Sequence, residues 1–377
     1  MQNCTRLMRN AALPALAAAL LCALSCSVGS NRMMPNTYAY IAVYDQTGAG
    51  SIGQYRMAST GTLSPMSPAT VPAGFSPTGL SIAPGSNHLY ALDTTEYAGT
   101  FLQFSINSAG TLSTSPLASS GPDVTPYPFT LTPNGRFVLI PALPNGLGTL
   151  SSYSISASGA LTFVSTVSAG LDPCAVAIDP TGKFAYVADN TAAVILEYGI
   201  AADGTLSQIG SISTGLHTNS PYFVGFSPEG FLYSAGCCQL QAVSEYSVDS
   251  STGALTHLND FPTGDNQSSV PWSIAFDPTG AYAYVTNTDS QLSGYTIASF
   301  TVNKSTGALT RNGADTPTVG AYQVAIDPSG KFVFAASQST VYEFKISSSG
   351  TLVSNGTLSL PGTLTEQTSG GIVFAQH

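Results

Sequence analysis

Charge is what this chain has least of. Only 8% of its 377 residues are Asp, Glu, Lys or Arg, where an ordinary soluble protein has about a quarter. That scarcity excludes coiled coils and disordered tails, which depend on dense charge. Basic residues are the scarcer sign, with 10 Lys and Arg against 20 Asp and Glu and a net charge of −10. A surface of that sign repels a phosphate backbone, so nucleic acid is excluded as a partner. Histidine occurs only four times and tryptophan once, which leaves few residues for general-base or metal chemistry. With 37 Gly and 24 Pro interrupting any long helix, the composition is that of an exported β-protein wetted by Ser, Thr, Asn and Gln.

The N-terminus is read as a targeting segment. Arg6 and Arg9 precede an apolar run from Ala11 to Leu24, shorter than the roughly 20 residues a bilayer-spanning helix needs and ordered like a signal peptide. The run ends Ala23-Leu24-Ser25-Cys26, which resembles the lipobox of bacterial lipoproteins and predicts lipidation of Cys26. Cleavage after a small-x-small triplet is the alternative. The expected organisation is a signal peptide over 1–25, an anchor cysteine and tether over 26–37, and one domain over 38–377. The mature protein is then exported, to the periplasm, outer membrane or cell surface, and meets a membrane only through its lipid. Three later cysteines, Cys174, Cys237 and Cys238, predict one disulfide and one thiol left over in an oxidising compartment.

A repeat organises the rest. Asp179-Pro180-Thr181-Gly182-Lys183-Phe184-Ala185-Tyr186-Val187 recurs as Asp277-Pro278-Thr279-Gly280-Ala281-Tyr282-Ala283-Tyr284-Val285 and as Asp327-Pro328-Ser329-Gly330-Lys331-Phe332-Val333-Phe334. With weaker copies at Pro84, Pro133 and Pro228, the turn prolines step by about 50 residues, a propeller-blade period. Asp, Pro and Gly at the first, second and fourth positions are type I turn preferences. Each unit reads as four strands, such as Cys174 to Ile178, Phe184 to Ala188, Val194 to Ile200 and Thr205 to Ile212. Tyr38 to Val43 matches a second strand with no first, and Gly371 to Ala375 a first strand with no second. The fold expected is therefore all-β: a seven-bladed β-propeller of four-stranded blades, closed by pairing the C-terminal strand with the N-terminal blade. Along first strands large residues alternate with small ones (Trp272, Ile274, Phe276 against Ser273, Ala275), so that large faces sit against small ones around the ring.

These turns and strands, with Tyr284-Val285-Thr286-Asn287 and the recurrent Thr252-Gly253-Ala254-Leu255-Thr256, resemble the lactonase-type seven-bladed β-propellers. That family is similar to propeller-type 6-phosphogluconolactonase and shades into YVTN-repeat proteins. The resemblance spans essentially the whole of residues 38–377 and implies the fold strongly and lactone ring opening as an activity.

Candidate functional residues gather on the face where interblade loops and second-to-third-strand loops emerge. Asp123, Asp172, Asp265, Asp315 and Glu366 fall in interblade loops, and Asp45, Asp93, Glu96 and Asp189 in the others. No cofactor is expected, although oxygen-rich loops leave room for a structural cation such as calcium. Tyr127, Tyr222, Trp272 and Tyr322 occupy equivalent positions near the mouth, where aromatic faces stack on sugar rings or apolar ligands. His217 is the one histidine placed as a general base and Arg311 the one cation placed at the mouth. Arg136, Lys183 and Lys331 follow turns on the opposite face, too far from the mouth to hold a phosphorylated sugar. The expected protein is a monomer that binds a small molecule, glycan or envelope protein at its mouth. The alternative is hydrolysis of a neutral sugar lactone.

Overall fold

Each repeat is organised around its Asp-Pro-Thr-Gly turn. Asp179 is buried, and its Oδ1 accepts hydrogen bonds from the N–H groups of Lys183 and Phe184 at 2.8 and 2.7 Å. Its Oδ2 accepts from the N–H and hydroxyl of Thr181. Asp277 and Asp327 repeat the arrangement. In blades three and five a hydroxyl substitutes: Thr132 and Ser227 accept from the N–H groups of Phe137 and Phe231. The fourth-position glycine takes a positive φ, +72° at Gly182 and +68° at Gly280 and Gly330, a conformation glycine adopts most readily.

The computed structural model describes residues 36–45, 48–95, 98–114, 127–214, 220–237, 242–264, 269–289, 294–364 and 371–377. Their strands form seven antiparallel sheets arranged as a propeller. Blade four shows the pattern: Pro173–Ile178, Phe184–Asp189, Val194–Ile200 and Leu206–Ser213, side by side in chain order. The innermost strands of blades one to seven are Ile372–Gln376, Pro77–Ile82, Thr130–Leu131, Pro173–Ile178, Ser220–Phe226, Ser269–Phe276 and Gln323–Ile326. Blade two carries three strands among the described residues. In blade six the outer strand is split into Leu309–Arg311 and Thr316–Thr318, both paired with Gly294–Val302.

Ring closure is as the two unmatched ends require. Ile372–Gln376 pairs with Thr37–Tyr44 in a register running from Thr37↔Gln376 to Ile41↔Ile372, which makes the C-terminal strand the innermost strand of blade one. The core is correspondingly divided. Seven apolar clusters lie one at each seam between blades, and the cluster at the closing seam joins Ile41 and Ile372 to Phe332 and Phe334.

A tyrosine latch crosses most seams, and between blades four and five it has two prongs. Tyr186 on a second strand and Glu197 on the third are direct cross-strand partners. The Tyr186 hydroxyl donates to the Gly253 carbonyl at 2.8 Å, and Glu197 Oε1 accepts from the Leu255 N–H at 3.1 Å, both in the outer turn of the next blade. Tyr40 and Gln54 reach Gly110 and Leu112 in the same way, and Tyr90, Tyr233 and Tyr284 reach Gly159, Gly307 and Gly350. The recurrent Thr-Gly-Ala-Leu phrase is thus the socket of the latch. Its glycine is required twice over, because Gly253 has φ +78° and a Cβ there would lie 2.3 Å from the Phe184 ring.

Candidate functional site

The mouth residues are aimed by bulges. In blades two, four, five and six the ladder between first and second strands shifts register immediately after a proline, at Pro77, Pro173, Pro221 and Pro271. Proline cannot donate to the ladder, and the residue after it becomes the unpaired one. Those residues are Thr78, Cys174, Tyr222 and Trp272. Tyr222 and Trp272 therefore lie outside the strict alternation with Ile274 and Phe276 that the sequence suggests. They turn toward one another and toward Tyr322 instead.

Together they form a continuous aromatic row. Tyr222 and Trp272 stack with ring centroids 5.4 Å apart and planes at 26°. Trp272 meets Tyr322 edge-on at 5.5 Å and 88°, and Tyr322 meets Tyr295 at 5.0 Å. The two phenol oxygens of Tyr295 and Tyr322 are 2.6 Å apart. Trp272 Nε1 donates to the Thr288 hydroxyl at 3.3 Å, and the Thr286 hydroxyl donates to the Tyr322 carbonyl at 2.9 Å. Tyr222 is 36% exposed, and Trp272, Tyr295 and Tyr322 are half-buried, so the row is a partly open surface and not sealed core.

Blades three and four continue the rim in polar form. The Tyr127 hydroxyl donates to Asp172 Oδ1 at 2.6 Å. Burial, and then Asp172, push the Tyr127 phenol well above its ordinary range, so it remains a neutral donor. Cys174 links this pair to the row, its thiol donating to the Pro221 carbonyl at 3.0 Å. It is a free thiol. Burial first, and the Asp172 charge second, push it up to about 12, which removes it as a thiolate nucleophile.

Among the described residues, most of the other acids on this face hold loops. Asp93 Oδ1 accepts from the N–H groups of Phe75 and Ser76 at 2.9 and 2.7 Å, and Asp189 takes the N–H groups of Leu171, Asp172 and Ala192. Both carboxyls are buried. Among the described residues, no group of three or more His, Cys, Asp or Glu gathers as a metal would require.

Arg311 does not sit at the mouth. It lies on the split outer strand of blade six, where Nη1 donates to the Thr263 carbonyl at 2.8 Å, Nη2 pairs with Asp315 Oδ1 at 2.5 Å, and the guanidinium covers the Phe300 ring. It ties blade six to blade five. The exposed cations among the described residues, Arg56, Arg136, Lys183, Lys304, Lys331 and Lys345, all lie at the face opposite the mouth. His217, Asp265 and Cys26 lie outside the described residues, as do Asp123, Glu96, Glu366 and Cys238. Sequence reasoning missed Tyr295 and Thr288, which complete the row. Their signal is only that each stands near the mouth end of a blade-six strand.

The family model for the seven-bladed lactonase β-propeller matches residues 38–168 and 124–364. No curated protein matches the sequence. Among solved structures, a candidate 6-phosphogluconolactonase from Bacteroides uniformis is 22% identical, with a TM-score of 0.75 over 90% of this chain and 100% of its own. The periplasmic gluconolactonase PpgL of Pseudomonas aeruginosa is 18% identical, with a TM-score of 0.74 over 90% and 99%. A protein from Lactobacillus plantarum is 20% identical, with a TM-score of 0.74 over 90% and 100%. At these identities the structures speak for the fold, while the family match covers nearly the whole propeller: this chain belongs to the lactonase family of seven-bladed β-propellers.

Proposed function

We propose that this protein is an exported lactone hydrolase that opens an uncharged cyclic ester at its channel mouth. The observation that carries the reading is the Asp172–Tyr127 pair, a carboxyl fixed by a neutral phenol on the same rim as the Tyr222–Trp272–Tyr322 row. Family membership favours lactone opening over the binding role that the scarcity of catalytic residues suggests. In the proposed reaction the lactone ring lies against the aromatic row. Asp172 takes a proton from water as the water oxygen bonds to the acyl carbon, and a phenol O–H of the row stabilises the developing oxyanion. The acyl carbon–ring oxygen bond then breaks, and the ring oxygen leaves as a hydroxyl carrying the proton returned from Asp172. Tyr127 is a positioning residue, holding Asp172 Oδ1.

An uncharged substrate follows from where the cations lie. A phosphate needs Arg or Lys within hydrogen-bond reach, and the exposed ones among the described residues stand at the other face. Export rests on Arg6, Arg9, the apolar run to Leu24 and the Ser25-Cys26 junction. The test is acid release from uncharged and phosphorylated lactones. Saturable release from an uncharged lactone above the spontaneous rate is expected. Release from none would leave a mouth that only binds, and preference for the phosphorylated substrate would contradict the charge argument.

A further inference from the structure

Beneath the aromatic row the channel holds a pocket of about 90 Å³ that the proposed reaction leaves unused. Its apolar walls come from the same inner strands that carry the row: Phe223 after Tyr222, Ile274 two residues past Trp272, Val324 two past Tyr322, and Ile372 of the C-terminal strand. The polar side chains on it are Ser273 and Gln323. The Gln323 amide oxygen already accepts from the Gly371 N–H at 2.9 Å, and no lining residue is charged. The rim above carries exposed apolar side chains beside its polar ones. Leu171 and Val319, at equivalent positions in the interblade loops before blades four and seven, are exposed.

A phosphate pushed into such a pocket meets no cation, and a polyol finds only the Ser273 hydroxyl and the Gln323 amide among its side chains to replace hydrogen bonds to water. An alkyl chain gains instead, by about fourfold in affinity for each methylene removed from water. Size narrows the choice further. An apolar cavity that takes benzene measures about 150 Å³, so this pocket is too small for a ring and suits a short, unbranched chain. The lactone ring then stays above, against the row, with its substituent pointing down the channel.

We infer that this pocket is a chain subsite, and that the lactone this protein opens carries a short unbranched alkyl substituent in place of hydroxyl or phosphate groups. The inference rests on the lactone hydrolase reading of the mouth. Its test is a series of δ-lactones with alkyl chains of increasing length, run beside gluconolactone and its phosphorylated form on the full-length protein. The expected result is a kcat/KM that rises about fourfold per methylene over the first few carbons and then levels as the pocket fills. Ala325→Leu, which narrows the lining, should flatten that rise. A flat dependence on chain length in the wild type, or preference for gluconolactone, overturns the subsite and leaves the hydrolase reading standing. If no lactone is opened the hydrolase reading fails, and the subsite is then decided by binding. Trp272 is the chain's one tryptophan, so quenching of its fluorescence by alkyl-substituted δ-lactams reports occupancy. Affinity rising with chain length supports the subsite, and saturating lactam without quenching overturns it.

Discussion

Oε1 of Glu343, in blade seven, accepts a 2.9 Å hydrogen bond from the backbone N–H of Leu63, in blade one, across 280 residues of sequence. The ring is therefore closed twice, by the shared sheet of blade one and by a buried carboxyl at the seam. Glu197 makes the same bond between blades four and five, whereas blade one uses Gln54 in the equivalent place. An amide acceptor serves this position as well as a carboxyl does.

That equivalence makes the seams a test of proton linkage. Burial raises both Glu197 and Glu343 above the ordinary carboxyl range, with the backbone hydrogen bond opposing it only in part. A raised folded-state value means the folded chain holds more protons than the unfolded one. The associated stability is complete below the unfolded carboxyl range and is lost as pH rises through the folded value. Melting temperature should therefore fall from about pH 4 toward neutrality, and the Glu197→Gln, Glu343→Gln double variant should show a flatter profile and a higher melting temperature at pH 7. Superimposable profiles would contradict this. Glu343→Ala, which strands the Leu63 N–H, should cost about 1–3 kcal/mol.

Deleting Gly371–His377 removes the innermost strand of blade one and exposes the edge of Thr37–Tyr44. A free edge of that length promotes association, so the truncated protein should lose its cooperative melting transition or aggregate. A melting temperature within a few degrees of wild type would show that the closing strand is dispensable.

The latch sockets predict an order of effects. Tyr186→Phe removes one hydroxyl bond and should cost about 0.5–1.5 kcal/mol, since Phe334 occupies the same position in blade seven. Gly253→Ala forces a Cβ into the left-handed region and against the Phe184 ring, and should cost more, about 1–3 kcal/mol. Chemical denaturation of the two variants reads the order directly, and Gly253→Ala proving the milder would argue against the socket.

Cys26→Ser should abolish incorporation of labelled palmitate and release the protein into the soluble fraction. Equal labelling of variant and wild type would refute the anchor.

What the sequence made legible was local, and what it hid was long-range. The turn of Asp179 shows in one nine-residue phrase because its carboxyl bonds lie within five residues. The closing strand could be found because both chain ends carry fragments of a repeat with six full copies between them. The site was only half readable. Sevenfold pseudosymmetry brought Tyr222, Trp272 and Tyr322 together, but the bulges after Pro221 and Pro271 that turn two of them toward one another needed the ladder register. Arg311 was misplaced because residues between Arg311 and Thr316 break the outer strand of blade six, and its partner Thr263 is 48 residues away. Asp93 and Asp189 could be placed on the loops of this face, but the N–H groups that they hold on a neighbouring loop could not be named from the sequence.

Lactone opening at the Asp172–Tyr127 rim beside the aromatic row can be checked by steady-state hydrolysis of one uncharged lactone by wild type, Asp172→Asn and Trp272→Ala, with melting temperatures measured alongside. Asp172→Asn should lower kcat by about a hundredfold or more. Trp272→Ala should raise KM while losing well under the about 3–5 kcal/mol of a core tryptophan. Undiminished turnover in both variants would place the chemistry elsewhere and contradict the account.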